Sequence, residues 1–445
     1  MCAPTLTQTT QRSASPAKRK SPPLNAVSAG ALAGGCNSPV RAGAAVGGEP
    51  FIQSRGEGAY AFDRFGRRYV DYIMAYGPLL FGHGHAAFSH GLDRIAQRGS
   101  LFGSTHVDEQ TLAERIRTHL PSMERIRFTT TGTESVMGAI RVARAFTKRP
   151  LIVRFAGNYH GHFDLALYGA GASVAQNGQA RGGITSATSA EGIVTRYNDL
   201  DALDHAARGR ERQIAAIIVE PIAANMGLVE PVAGFLEGLR ARADRFGALL
   251  IFDEVITWLR LGLGGAQQRL GVRPDLTTVG KILGGGYPIA AFGGRSDVMA
   301  ELAPLGRTFT GGTHAGSTFS VAMAHRALDL LESHPESYAS MEERAKELAG
   351  GLRAILAVHS LPYNVVQLES IVDFKFRSGV TRNYDDASGA DASAYAAYYH
   401  AMRKYGILLP PSQNEVMFLS TAHGAGEIAA TLRAVDAALA EVTTR

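Results

Sequence analysis

A run of apolar residues from Ala248 ends in Phe252-Asp253-Glu254-Val255, and a single lysine follows in Thr278-Val279-Gly280-Lys281-Ile282-Leu283. A carboxylate at the end of a buried strand can hold a proton on a ring nitrogen and so make the ring an electron sink. An amine within reach can bond a carbonyl carbon and then shuttle protons. Pyridoxal phosphate chemistry needs this pair, so Asp253 and Lys281 are the candidate catalytic residues. Taken singly, each has an ordinary reading: an Asp after a strand is commonly a cap or turn residue, and a Lys among glycines is commonly a solvated loop charge. What accompanies them decides between the readings.

Thr131-Gly132-Thr133-Glu134-Ser135 opens a predicted helix directly after a strand. Amides at a helix N-terminus, with hydroxyls and a glycine that permits close approach, form an anion site without a cationic side chain. The same spacing is also an ordinary capping box. Tyr159-His160-Gly161-His162 follows another strand, and with His83 and His85 it raises the question of a metal. Neither histidine pair brings a third and fourth ligand, so no metal site is expected. Gly284-Gly285-Gly286 lacks the spacing and the downstream acid of a dinucleotide loop. It is read instead as a close-packed turn that lets Lys281 reach its target.

These residues need a scaffold that gathers strand ends. Ile126-Arg127-Phe128, Leu151 to Phe155, Ile214 to Val219 and Ala248 to Phe252 read as strands, with helices from Glu134 and Gly234 between them. Such alternation implies parallel strands joined by helical crossovers, with ligands at the carboxyl ends. Short strands are expected at Phe51-Ile52, Ala59 to Asp63 and Arg68 to Ile73, and helical patterning near Ala86 and from Glu109 to His119. From Pro335 the pattern changes to a long helix, strands at Val365 to Gln367 and Ile371 to Phe376, and a closing helix near Glu427 to Glu441. The expected fold class is α/β with a second, smaller α+β unit. It divides as an N-terminal arm (1–33), a segment packing with the small domain (34–90), a large domain (91–334) and a C-terminal small domain (335–445).

Composition narrows the partners. The chain has 445 residues and a formal charge of +5, but Arg12, Lys18, Arg19, Lys20 and Arg41 precede the first acid, Glu49. Setting those five aside leaves a body with equal numbers of basic and acidic residues, which gives no case for nucleic acid binding. No apolar run approaches the roughly 20 residues that span a bilayer, so no membrane association is expected. Both cysteines, Cys2 and Cys36, lie in the leading stretch, which excludes a disulfide framework and suits a reducing compartment. The arm to about Asn25 reads as disordered. A cytoplasmic location is expected, with an organelle such as a plastid as the alternative if the acid-free arm is a transit peptide.

From Gly34 to about Val442 the chain resembles the class III (fold type I) pyridoxal phosphate aminotransferases, and within that family the glutamate-1-semialdehyde 2,1-aminomutases. The resemblance implies a large domain with a mostly parallel seven-stranded sheet flanked by helices. Gly132 and Thr133 match the family's phosphate cup, and Thr313 of Gly312-Thr313 matches a residue that reaches the phosphate from a partner subunit, so a homodimer with shared sites is implied. Tyr159 and His160 match the triplet stacked over the cofactor ring, and Val255 matches the cover on its other face. On the substrate side, Asn37-Ser38-Pro39-Val40-Arg41 resembles a segment characteristic of the aminomutases, in which the arginine holds the substrate carboxylate. A planar bidentate donor suits that task. Ser38, Arg41, Tyr76, Asn225 and Glu415 are the implied substrate contacts, and Gly264-Gly265-Ala266-Gln267 is a further match. Ala170 to Ser189 resembles a gating loop that would retain a released diamine. Tyr76 stands where the family usually has Trp, and Trp258-Leu259-Arg260 where it has Gly-Phe-Arg. The implied activity is conversion of glutamate-1-semialdehyde to 5-aminolevulinate, with pyridoxamine phosphate as the amine-bearing form. The alternative is a transaminase acting on another carboxylate-bearing amine, such as a β-amino acid or a specialised-metabolite intermediate.

Overall fold

The structure is a computed structural model that describes residues 31–167 and 182–443. The first 30 residues of the arm, and positions 170–181 of the stretch read as a gating loop, lie outside the described residues.

An antiparallel meander opens the chain: β1 (Gln53–Glu57), β2 (Tyr60–Asp63) and β3 (Arg68–Asp71). Phe51 and Ile52 stop short of β1. The Phe51 ring meets the Tyr69 ring edge-on at 5.1 Å, and the Ile52 carbonyl accepts from Arg64 N at 2.9 Å.

The seven-stranded sheet follows, in the order β4-β10-β9-β8-β7-β5-β6. Its strands are β4 (Arg125–Thr129), β5 (Leu151–Phe155), β6 (Gly192–Thr195), β7 (Ile214–Val219), β8 (Leu249–Asp253), β9 (Leu276–Val279) and β10 (Ala290–Gly294). Strand β10 runs antiparallel to both β4 and β9, while the remaining pairings are parallel. All six residues of β7 and all five of β8 are buried, as expected of strands covered by helices on both faces. Apolar clusters lie on the two faces: Val153, Ile217, Leu250 and Phe252 belong to one, and Ile152, Ile218, Ile251 and Phe292 to the other. The alternation of neighbours between clusters is the period-two pleat of a strand.

Helix α1 (Gly132–Thr147) carries its apolar stripe, Val136, Ala139, Ile140 and Ala143, into the second cluster. Its approach is close: a methyl on Gly138 would stand 2.4 Å from the Phe292 ring of β10. That contact fixes how deeply the helix start sits against the sheet's carboxyl edge.

The C-terminal part packs α2 (Glu336–Val358), α3 (Ala392–Lys404) and α4 (Ala425–Thr443) around β11 (Asn364–Leu368) and β12 (Ile371–Lys375). Strand β13 (Ile407–Leu408) runs parallel to β3, and β14 (Met417–Phe418) pairs with β12. The meander and the C-terminal elements therefore share one core, in which Val70 and Tyr72 meet Leu348, Phe374, Tyr398 and Val435. Among the described residues no helix is long and apolar enough to cross a membrane.

Candidate active site

Five strand ends deliver the site to one edge of the large sheet. Strand β8 ends at Asp253, paired in register with Thr278 of β9. Asp253 is buried, and three donors meet its carboxylate: Thr278 Oγ1 at 3.0 Å, its own turn through Val255 N at 3.2 Å, and His160 Nδ1, 2.7 Å from Oδ2. Burying a carboxylate is costly unless donors replace the lost water, and here three separate pieces of chain supply them. His160 Nε2 is buried and has no protein partner.

Beyond β4, Thr131 caps α1. Its hydroxyl accepts from Glu134 N at 3.2 Å, while the Glu134 carboxylate accepts from Thr130 N and Thr131 N, each at 2.8 Å. The capping box is thus real, and it leaves the amides of Gly132 and Thr133, which have no acceptor within the helix, at the sheet edge. A methyl on Gly132 would meet Val255 at 3.2 Å, and one on Gly161, whose φ is +94°, would stand 2.6 Å from Thr133 Oγ1. Two glycines therefore let the helix start and the loops after β5 and β8 approach one another closely.

Glu220 ends β7 as Asp253 ends β8. It accepts from Tyr159 N at 2.6 Å, Asn225 Nδ2 at 2.8 Å and Ala224 N at 2.8 Å, and its own amide donates to Asn158 Oδ1 at 3.0 Å. Burial raises its carboxyl above the usual range, and His160 partly offsets that. Sequence reading singled out Asn225 and placed Glu220-Pro221 at a strand end without giving Glu220 a role. The available signal was the same one used for Asp253, an acid closing a wholly apolar run.

Lys281 begins a short 3-10 turn, Lys281–Gly284, with φ at +48°. The glycines after it are required by packing: a methyl on Gly285 would stand 2.1 Å from the Phe88 ring, and the position has φ of +56°. Burial pulls the Lys281 ammonium down, opposed by the carboxylates of Glu415, Glu220 and Asp253. Lowering an amine this way enlarges its neutral, nucleophilic fraction near neutral pH.

Lys281, Asp253, Gly132, Thr133, Tyr159, His160, Val255 and Asn225 together line one cavity of about 190 Å³. A second cavity of about 390 Å³ holds Arg41 and Tyr76, with Asp71, His83 and Tyr399. Glu415 acts electrostatically on Tyr159 and Lys281 of the first cavity and on Tyr76 of the second, where Arg41 also acts. Ser38 lines neither cavity; it precedes the turn Pro39–Ala42, which presents Arg41. Thr313 is exposed and also lies outside both cavities. The histidines that raised the metal question are otherwise engaged: His83 pairs with Asp71 at 2.8 Å and His160 with Asp253. Among the described residues there is no cluster of three or more groups able to hold a metal.

The segment Gly264 to Gln267 serves a different carboxylate. Glu254, fully buried, accepts from Ala266 N at 2.6 Å, Thr257 Oγ1 at 2.8 Å, Gln267 Nε2 at 3.0 Å and Gln267 N at 3.1 Å. A methyl on Gly265 would stand 2.4 Å from that carboxylate. This cage anchors the turn after Asp253 to the chain twelve residues on.

Comparison with known proteins bears on this geometry. The model of the aminotransferase class-III family matches residues 44–424. A glutamate-1-semialdehyde 2,1-aminomutase of Thermomicrobium roseum is 46% identical over 410 residues, covering 92% of this chain and 95% of that protein. An omega-transaminase structure from Sphaerobacter thermophilus aligns with a TM-score of 0.85 at 29% identity, over 94% of this chain and 97% of the other. A glutamate-1-semialdehyde-aminomutase from Pseudomonas aeruginosa PAO1 in complex with PMP aligns with a TM-score of 0.79 at 26% identity, over 89% of each chain.

Trp258, which stands where the family usually has Gly, lines neither cavity. It is fully buried, donates Nε1–H to the Leu263 carbonyl at 2.8 Å, and packs in a core cluster with Phe81, Leu112, Phe128 and Leu328. Trp258→Gly should therefore destabilise the protein by roughly 3–5 kcal/mol and leave substrate preference unchanged. Thermal denaturation together with kcat/KM ratios for two substrates of different size checks both halves.

Proposed function

Because the chain belongs to the class III aminotransferase family, we propose that it is a pyridoxal phosphate-dependent aminomutase that converts glutamate-1-semialdehyde to 5-aminolevulinate. The observation that carries the chemistry is the meeting of Lys281, Asp253 and the start of α1 in one cavity. The residues present fit the cofactor: a cavity between the helix start and the strand ends, a buried histidine nitrogen without a protein partner, and a helix start able to take an anion. When bound, pyridoxal phosphate supplies the electron sink that lets an amine move between neighbouring carbons.

The chain's own residues divide the remaining work. Asp253, oriented by His160 and Thr278, holds a proton on the ring nitrogen. The amides of Gly132 and Thr133, with the Thr133 hydroxyl, hold the phosphate. Tyr159 lies against one ring face, with His160 beside it, and Val255 covers the other. Lys281 Nζ anchors the cofactor and carries protons between it and the substrate carbons. Arg41 takes the substrate carboxylate beside Ser38 and Tyr76, while Asn225 and Glu415 frame the amine-bearing end.

A second copy of the chain completes the site. Gly312 lines an exposed groove of about 570 Å³ that also holds Thr130, Glu134 and Gly138 at the start of α1. Phe309 and Leu305, near Gly312 in sequence, are 74% and 68% exposed. In the homodimer Thr313 reaches the partner's phosphate site. The proposed setting is the cytoplasm.

Sequence relatives favour the aminomutase reading, and the Trp258 geometry removes one objection to it. The transaminase alternative keeps two supports: Tyr76 beside Arg41 where the family usually has Trp, and an omega-transaminase structure that aligns with a higher TM-score than the aminomutase structure does. Amine accounting separates them. Purified protein given glutamate-1-semialdehyde and no amino donor should form 5-aminolevulinate through many turnovers. Arrest after about one equivalent per site, with transfer resuming when a donor is added, would establish the transaminase instead.

Arg41 is exposed in the single chain, so its pair with a substrate carboxylate is worth about 1.5–3 kcal/mol, the range of a charged hydrogen bond. Arg41→Ala should raise KM roughly 10- to 100-fold and leave the cofactor absorbance as it was; unaltered KM would remove Arg41 from the carboxylate site.

A further inference from the structure

Three residues in a row, Met74, Ala75 and Tyr76, have φ of +43°, +55° and +66°, and Gly77 follows at +111°. Side-chain-bearing residues rarely adopt that conformation, and each costs on the order of 1 kcal/mol or more unless its surroundings enforce it. The turn carries Tyr76 into the second cavity, and Gly77 lies against Lys281: a methyl on Gly77 would stand 3.6 Å from Lys281 Cδ and 3.4 Å from the Phe418 ring. Asp71 Oδ1 accepts from Met74 N at 3.3 Å at the start of this turn, and one side chain holds its Gly77 end. Arg260, fully buried, donates to the Gly77 carbonyl at 2.7 Å, the Leu419 carbonyl at 2.7 Å and Ser370 Oγ at 3.0 Å, and lies 5.1 Å from the centre of the Phe418 ring.

All of its hydrogen-bond partners are neutral, and among the described residues no carboxylate forms an ion pair with it. Buried guanidinium groups are normally matched by an acid. Burial lowers this one only to about 9, so it remains a cation at neutral pH.

We propose that Arg260 is a positioning residue for Lys281: its guanidinium fixes the strained turn that walls the lysine chain and sets an unmatched positive charge behind that wall. This rests on the assignment of Lys281 as the cofactor-linking residue. The charged groups acting on Lys281 are Glu415 from the loop after β13, Glu220 from the end of β7, Asp253 from the end of β8, and Arg260. Burial and Arg260 lower the ammonium, while the three acids raise it. Tyr338, whose hydroxyl donates to the Leu259 carbonyl at 3.1 Å, is the titratable group acting on Arg260.

The test is a pH titration of the cofactor's visible absorbance in full-length, cofactor-loaded protein, with borohydride reduction and peptide mapping to locate the linkage. Arg260→Gln retains hydrogen bonding without the charge, Arg260→Met removes both, and Arg260→Lys retains the charge. In whichever neutral variant folds, the midpoint should rise, the direction in which removing a like charge moves a buried amine. In Arg260→Lys it should stay near the wild-type value. A neutral variant with the wild-type midpoint, or a lysine variant shifted as far as the neutral ones, overturns the proposal. Linkage to a lysine other than Lys281 in the wild type would instead overturn the site assignment on which it rests.

Discussion

The buried carboxylate of Asp253 is the constraint to which the rest of the site conforms. An ion of that size left unpaired in the interior would cost more than most single interactions return, so its donors must be in place wherever it is buried. One comes from β9 through the Asp253–Thr278 register, one from the loop after β5 through His160, and one from the turn at Val255. Slipping β9 by one residue against β8 would turn Thr278 to the other face and leave Oδ1 short of a donor. The parallel sheet thus orders the site and is also specified by it.

The same solution recurs around the edge. Glu220 is buried with backbone and amide donors, and Glu254 with four donors from the chain between Thr257 and Gln267. On the small-domain side, Lys375 and Asp373 are buried 3.8 Å apart. Lys375 donates to the Met226 and Gln413 carbonyls, and Asp373 accepts from Leu228 N. This pair ties the loop of Asn225 to the loop of Glu415, just as Arg260 ties the Tyr76 turn to β12 and β14. Charges buried at domain contacts add little net stability but penalise misplacement heavily. That asymmetry suits a site assembled from two cores.

How legible this was in the sequence varied with the kind of signal. Strands β7 and β8 are uninterrupted apolar runs, β5 is broken only by Arg154, and all three were read at or within one residue of their bounds. The helix from Glu134 and the closing helix from Glu427 were read two residues late at the start, and α3 was not read. Strands β6, β9 and β10 were not read individually; in β10, Ala290–Gly294 is rich in Ala and Gly rather than β-prone residues. Methyl groups on Gly293 and Gly294 would stand 2.5 Å from the Arg125 carbonyl and 2.1 Å from the Asp275 carbonyl, so close packing selected glycine over propensity. The cofactor-side residues were legible as motifs, each being local to one strand end. Arg260 was not, because its partners lie 110, 159 and 183 residues away along the chain. Glu254 stands beside Asp253 in the same run, but only the fold shows that Thr257, Ala266 and Gln267 are its donors. Trp258, five positions from Asp253 in sequence, packs into a different core.

The central claim, that Asp253 holds a proton on the cofactor's ring nitrogen, can be measured at that atom. In protein loaded with ring-15N-labelled pyridoxal phosphate, the nitrogen resonance should sit at the protonated position and stay there from about pH 6 to 9. In Asp253→Asn it should move to the unprotonated position while the cofactor remains linked to Lys281. An unprotonated nitrogen in the wild type, or the same resonance in both proteins, would contradict the role on which the mechanism depends.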